Sequence, residues 1–140
     1  MYIKFYEQTK VNLSQRKILK NFLTTIFLNE GKNLGGLTII FCSDNYLLQM
    51  NKDFLQHDYF TDIITFDLSE SNTSAIIGEI YISVDTVKEN AITHQTTFEQ
   101  EIHRVIFHGV LHLCGYKDKT KKEVSLIRKK EDDCLSLYFE

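Results

Sequence analysis

The sequence predicts an α+β fold: a four-stranded mixed sheet packed with about five helices, forming a single layered domain over residues 1–140. Three observations predict it. Strand and helix periodicities alternate through the first two thirds of the chain, and helical ones collect towards the C-terminus. The length of 140 residues and 43% hydrophobic content suit one buried core. No repeat, low-complexity tract or linker divides the chain, and with no proline at all its punctuation comes from glycine and asparagine.

The elements follow in order. Met1–Gln8 alternates apolar and polar residues, which reads as a strand over residues 2–6 and lacks the continuous apolar stretch of a secretory signal. Ser14 is placed to cap a helix reaching about Asn29, because Ile18, Leu19, Phe22, Leu23, Ile26 and Phe27 recur at helical spacing. A loop from Gly31 to Gly36 ends that helix, and Leu37–Cys42 reads as a buried strand. Asp44 is the expected cap of a short helix to Leu55. Thr61–Phe66 and Ala75–Ser83, both β-branched and aromatic, read as strands flanking a hairpin connection at Ser69–Ser74. Asp85 starts a helix to about His94, and Thr96 with Glu99 forms a capping box for the next, from Phe98 to Cys114.

A net charge of −3 argues against a protein that coats nucleic acid by bulk electrostatics, so any such contact has to be local. The basic residues that crowd together are Lys117, Lys119, Lys121, Lys122, Arg128, Lys129 and Lys130. They are either a local nucleic-acid contact or a solvated helix face balanced by Glu123, Glu131, Asp132 and Asp133. Cys42, Cys114 and Cys134 are odd in number and widely spaced, so they read as reduced thiols of a cytoplasmic protein. No apolar run approaches the roughly 20 residues that span a bilayer, and no membrane partner is expected.

Chemistry concentrates on the helix from Phe98 to Cys114, where apolar residues are the majority. Against them Glu101, Arg104, His108 and His112 lie within roughly 80° of one another at about 100° per residue. Polar groups buried without partners cost several kcal/mol, so this stripe should face a site, a metal or its own members. His108 and His112, four apart, put both imidazoles on one face one turn apart, as two zinc ligands require. Gly115 can adopt the left-handed conformation that ends a helix, bringing Asp118 within reach as a third ligand. Three ligands leave a coordination position for water, as catalytic zinc requires. The bland alternative is a pair of hydrogen-bonded core histidines. His103 points elsewhere on the helix, His57 and His94 sit in expected loops, and Cys114 belongs to the core. Where zinc proteases of the H-E-x-x-H type carry their glutamate base this chain has Gly109, which disfavours a peptidase and permits a close approach to the helix.

His108-Gly-Val-Leu-His112-Leu-Cys-Gly115-Tyr116 resembles the H-G-x-L-H-L-x-G-Y signature of the YbeY family of metal-dependent endoribonucleases. Met50-Asn51 through Thr61-Asp62-Ile-Ile-Thr65-Phe66 and Ile77-Gly78-Glu79-Ile80-Tyr-Ile resemble two further blocks of that family, in the same order. The resemblance implies an α+β fold with a four-stranded sheet and one zinc ion at the end of a cleft. It also implies a single metallohydrolase domain acting on single-stranded RNA in 16S ribosomal RNA maturation and ribosome quality control, with the small ribosomal subunit as partner. The family's third ligand is a histidine where this chain has Asp118, and carboxylate oxygen is a legitimate zinc ligand. The family's basic residue, its lysine and its proline between the Asn51 and Asp62 blocks are here Leu55, His57 and Phe60. Phosphate contacts are therefore expected from Arg104 or from lysines such as Lys117, Lys119 and Lys121.

The expected reaction is hydrolysis of an RNA phosphodiester, with a zinc-bound water whose pKa falls from 15.7 towards about 7. Glu79 and Asp62 are candidates to orient that water or the histidines, or else to cap a turn or hold a loop. Two other classes stay open: a ribosome-associated assembly factor whose metal is mainly structural, and a metallohydrolase of a small ester or amide.

Overall fold

Apolar residues at period two along Tyr2–Glu7 make the first strand, β1, and the helical stripe beyond it makes α1 (Arg16–Asn29). A computed structural model, which describes residues 1–140, continues with β2 (Asn33–Cys42), α2 (Asp44–Leu55), β3 (Ile63–Asp67) and β4 (Ala75–Ser83). Three helices follow, α3 (Val84–Thr93), α4 (Phe98–Leu113) and α5 (Lys121–Tyr138). This is the predicted four-stranded mixed sheet with five helices. The strands lie in the order β1-β2-β4-β3; β2 is parallel to both of its neighbours, and β3 runs antiparallel to β4 through the expected hairpin.

Alternation along the strands assigns each side chain to a face. Leu37, Ile39 and Phe41 of β2 and Ile80 and Ile82 of β4 join one continuous core with α1, α3, α4 and α5. On the other face Cys42 and Ile64 pack with Leu47 and Met50 of α2 into a smaller cluster, with Phe66 and Tyr81 at its margin. α4 is the central element of the larger layer: Ile102, Ile106, Phe107 and Val110 have no exposed surface. Its closeness to the sheet rests on two glycines. A Cβ on Gly109 would come within 2.9 Å of the tips of Ile80 and Ile63, and one on Gly78 would stand 2.6 Å from Leu113. The close approach that Gly109 permits is thus to the sheet.

Element ends depart from the sequence reading by one to four residues, each for a local reason. Ser43 caps α2, its hydroxyl accepting from the Tyr46 amide at 3.2 Å, while Asp44 lies inside the helix and accepts hydrogen bonds from the Ser83 and Thr86 hydroxyls. Ser83 caps α3 in place of Asp85. Thr97 caps α4 in place of Thr96. Ser14 caps nothing: Gln15, left-handed at φ 54°, precedes α1 without a side-chain bond. β2 starts at Asn33, so Gly35 and Gly36 are strand residues at a register irregularity and the loop shrinks to the turn around Gly31. β3 starts at Ile63, which leaves Thr61 and Asp62 in the connection before it. No helix is long and apolar enough to cross a membrane.

Candidate metal centre

The last turn of α4 decides where the candidate ligands meet. Gly115 takes φ +106°; its amide donates to the His112 carbonyl at 3.0 Å and the Tyr116 amide donates to the Leu111 carbonyl at 3.1 Å. This nested pair is a Schellman motif, and it turns the chain back along the helix it has just left. Four residues later Thr120 caps α5 in a capping box with Glu123, whose carboxylate also accepts from the Lys119 amide at 3.1 Å. Asp118 is therefore staked from both sides.

The turn delivers Asp118 to the histidine pair. His108 Nε2 and His112 Nε2 are 2.9 Å apart, and Asp118 Oδ2 lies 3.4 Å from the first and 3.1 Å from the second. The other ring nitrogens are engaged: His112 Nδ1 is 2.9 Å from the Tyr116 carbonyl, and His108 Nδ1 is 2.6 Å from Glu131 Oε2. A carbonyl only accepts, so His112 Nδ1 carries a proton, and in the neutral ring its Nε2 presents a lone pair. Donation from His108 Nδ1 to the Glu131 carboxylate does the same for His108. Two imidazole Nε2 atoms and a carboxylate oxygen then converge on one point, where a proton or a metal ion shared between them would hold the cluster together. Tetrahedral zinc with bonds of about 2.0–2.2 Å separates its ligand atoms by roughly 3.3 Å, close to the triangle seen here. His108, His112 and Asp118 are the group in this chain that can hold a metal ion.

Behind the histidines stands a charged chain that the sequence reading missed. Glu131 is buried on α5 and also accepts from Arg104 Nη1 at 3.0 Å, while Arg104 Nη2 donates to Asp132 at 2.6 Å. Burial disfavours a charged His108, but the hydrogen bond and charge of Glu131, with Asp118 and Asp62, outweigh it and hold its pKa above the ordinary value. Burial likewise works against the Arg104 cation, and its two carboxylate partners reverse the sign, keeping it charged. A signal for Glu131 was present in the sequence. The buried residues of α5 are Ile127, Glu131 and Leu135, so a carboxylate occupies the middle of a four-residue apolar stripe.

The remaining predicted residues divide between the site and elsewhere. Asp62 lines the cleft beside His108; burial raises its pKa, and its carboxylate accepts from Asn90 at 3.3 Å. Glu79 does not reach the cleft: strand alternation turns Gly78 and Ile80 towards α4, and Glu79 accepts from the Tyr81 hydroxyl at 3.0 Å on the opposite face. Arg104 is committed to Glu131 and Asp132, so it braces a ligand where a phosphate contact had been expected. Lys119 lines the cleft, but Lys117 lines a separate groove beside Glu30 and Lys32, and Lys121 is exposed on the first turn of α5. His103 is buried away from the cleft among Phe107, Tyr138 and Phe139, its Nδ1 2.6 Å from the Glu99 carbonyl. His57, set aside in the sequence reading, lines the same cleft as the metal triad. That cleft has a volume of about 520 Å³ and extends from the triad past Asp62 and Thr65 to Asn51, His57 and Tyr59.

Over residues 3–138 the chain matches the family model described as Endoribonuclease YbeY. An Endoribonuclease YbeY of Cytophaga hutchinsonii is 54% identical over 133 residues, covering 95% of this chain and 92% of that one. One of Phocaeicola vulgatus is 47% identical over 131 residues, covering 94% of each. The solution structure of a Thermotoga maritima protein superposes with a TM-score of 0.65 at 28% identity, covering 99% of this chain and 89% of that one.

Proposed function

The chain belongs to the YbeY family of endoribonucleases, and from that premise we propose that it is a zinc-dependent, single-strand-specific enzyme of 16S ribosomal RNA maturation and ribosome quality control. Hydrolysis of RNA is the activity its relatives carry in their name. The observation that carries the metal dependence is the convergence of the His108 and His112 Nε2 atoms with Asp118 Oδ2 within 3.4 Å of one another at the end of a cleft. The nitrogen and oxygen donors suit zinc, and a three-residue set leaves a position open for chemistry. When bound there, a divalent ion supplies Lewis acidity to a phosphoryl oxygen or to an attacking water.

The chain's own residues do the rest. His112 is oriented by the Tyr116 carbonyl and His108 by Glu131, so neither ring has to reorganise when substrate arrives. Asp62, half-buried in the cleft wall beside His108, is positioned to accept a proton, and its burial-raised pKa suits that task better than an ordinary aspartate's. Lys119 supplies a cation beside the triad to meet the phosphodiester. The three free thiols suit a cytoplasmic protein that meets ribosomal RNA where subunits assemble.

The test is metal content of freshly purified protein, measured alongside cleavage of single-stranded and duplex RNA, for wild type, His112→Ala and Asp118→Asn. Near-stoichiometric zinc and single-strand cleavage in wild type, both lost in the variants, is the expected result. Cleavage that persists in His112→Ala removes the metal from the mechanism. Mapping the ends of 16S RNA in small subunits incubated with the protein tests the ribosomal role, which unaltered ends would remove.

A further inference from the structure

The cleft has a second end, built from aromatic rings with no fixed charge. His57 and Tyr59, two residues apart in the connection between α2 and β3, stack with centroids 5.1 Å apart and planes 20° from parallel. The Tyr59 hydroxyl lies 2.9 Å from His57 Nδ1. Both residues are exposed and both line the cleft that contains His108, His112 and Asp118. Two rings left to solvent normally wander, yet the backbone that carries these is tied down through one buried residue, and the rings bond each other. Asn51, 2% exposed, accepts from the His57 amide at 3.0 Å through its backbone carbonyl, and its side-chain amide donates to the Tyr59 carbonyl at 2.9 Å. The nearby cation, Lys52, is 3.4 Å from Asp58, so the connection offers no uncommitted charge to a phosphate.

From this juxtaposition we propose that the His57–Tyr59 pair is a nucleobase-stacking subsite, which takes one unpaired base of an RNA strand whose backbone passes the metal triad. The proposal rests on the reading that RNA is the substrate. It adds how the strand is gripped. A pinned, paired aromatic surface offers a flat face to any base at little ordering cost, and the same cleft carries the backbone to Lys119 and the triad at its other end. A paired base cannot reach such a surface without leaving its stack, so the subsite favours single strands over duplex. The sugar–phosphate contacts then fall to the metal end and the stacking to the aromatic end of one cleft.

The experiment is a binding and cleavage cycle with a short fluorescent single-stranded RNA. Its companions are strands in which each nucleotide in turn is replaced by an abasic sugar. Tyr59→Ala should weaken binding and raise KM about fivefold to 150-fold, the range one base–aromatic stack is worth, with kcat little changed. Tyr59→Phe, which keeps the ring, should recover most of that loss. His57→Ala should weaken binding in the same direction. One abasic position should weaken binding to wild type and add no further loss to Tyr59→Ala. Unchanged binding in both alanine variants, or abasic penalties identical in wild type and Tyr59→Ala, would overturn the subsite. A wild type that cleaves RNA while showing either result loses the subsite alone. One that cleaves nothing loses the enzymatic reading and leaves the binding cycle to decide the subsite.

Discussion

Glu131 Oε2 stands 2.6 Å from His108 Nδ1, so a carboxylate of the last helix holds a histidine of the candidate metal centre on the preceding one. The same carboxylate is held by Arg104, two turns before His112 on α4. Carboxylates behind ligand histidines fix tautomer and ring direction, and their loss typically costs 10-fold to 100-fold in metal affinity. On the proposed function, Glu131→Gln should therefore weaken metal binding by about that factor in a chelator competition while far-UV circular dichroism is retained. An unaltered affinity would reduce Glu131 to a packing residue.

The contact between Gly78 and Leu113 makes a second prediction. A methyl group on Gly78 would stand 2.6 Å from Leu113 Cδ1, one residue after His112, so Gly78→Ala should destabilise the fold by about 1–3 kcal/mol as the helix end is pushed outward. Shortening the partner should relieve it. In Gly78→Ala combined with Leu113→Ala, the combined loss in denaturant unfolding should be smaller than the sum of the single losses, and simple additivity would show that the two do not touch.

His103 gives the chain a pH dependence of definite sign. Burial among aromatic rings depresses its pKa below the ordinary value, and Nε2 has no partner there. The folded state therefore resists a proton that the unfolded chain accepts, so the stability this residue contributes is present above about pH 6.5 and is lost as pH falls below it. Between pH 7.5 and 5.5 the Tm of wild type should fall more than that of His103→Gln, in which this titration is absent. Parallel Tm curves would contradict the assignment.

Gly115 is held at φ +106°, and a side chain there meets no neighbour but must adopt a backbone conformation that costs of order 1–3 kcal/mol. Gly115→Ala should lower unfolding stability by that amount and also weaken metal binding, because the strained turn is the one that delivers Asp118. A loss of stability with metal affinity intact would separate the two.

The fold and the clustering of His108, His112 and Asp118 were legible because periodicity is strong where burial is deep. α4 declares itself through its apolar residues, and the polar stripe of Arg104, His108 and His112 is visible against them. β4 was bounded correctly because Ile76, Ile77, Ile80, Tyr81 and Ile82 give Ala75–Ser83 a dense β-branched and aromatic content. Caps were harder, since Ser43 and Asp44, or Thr96 and Thr97, can each accept from a first-turn amide. Asp44 is excluded from capping only because the hydroxyls of Ser83 and Thr86, about forty residues away, claim its carboxylate. Glu79 was misplaced towards the site because neighbouring residues in a strand point to opposite faces, and which face meets α4 is decided by Gly78. Glu131 was hidden by its neighbours: on a helix with many charges of both signs, a buried acid looks like part of a solvated face until α4 is laid against it.

The seven residues between the end of α4 and the start of α5 form a strap tied by the Schellman turn at one end and the capping box at the other. A strap fastened in this way would hold the spacing between Asp118 and the imidazoles fixed, and that spacing would gauge the radius of an ion bound there. Calcium seeks six to eight oxygens at about 2.3–2.6 Å and gains little from two nitrogens in a tight triangle, whereas small ions with four-coordinate habits are met at their own bond length. Discrimination between metals would in this sense be written into the length of a turn.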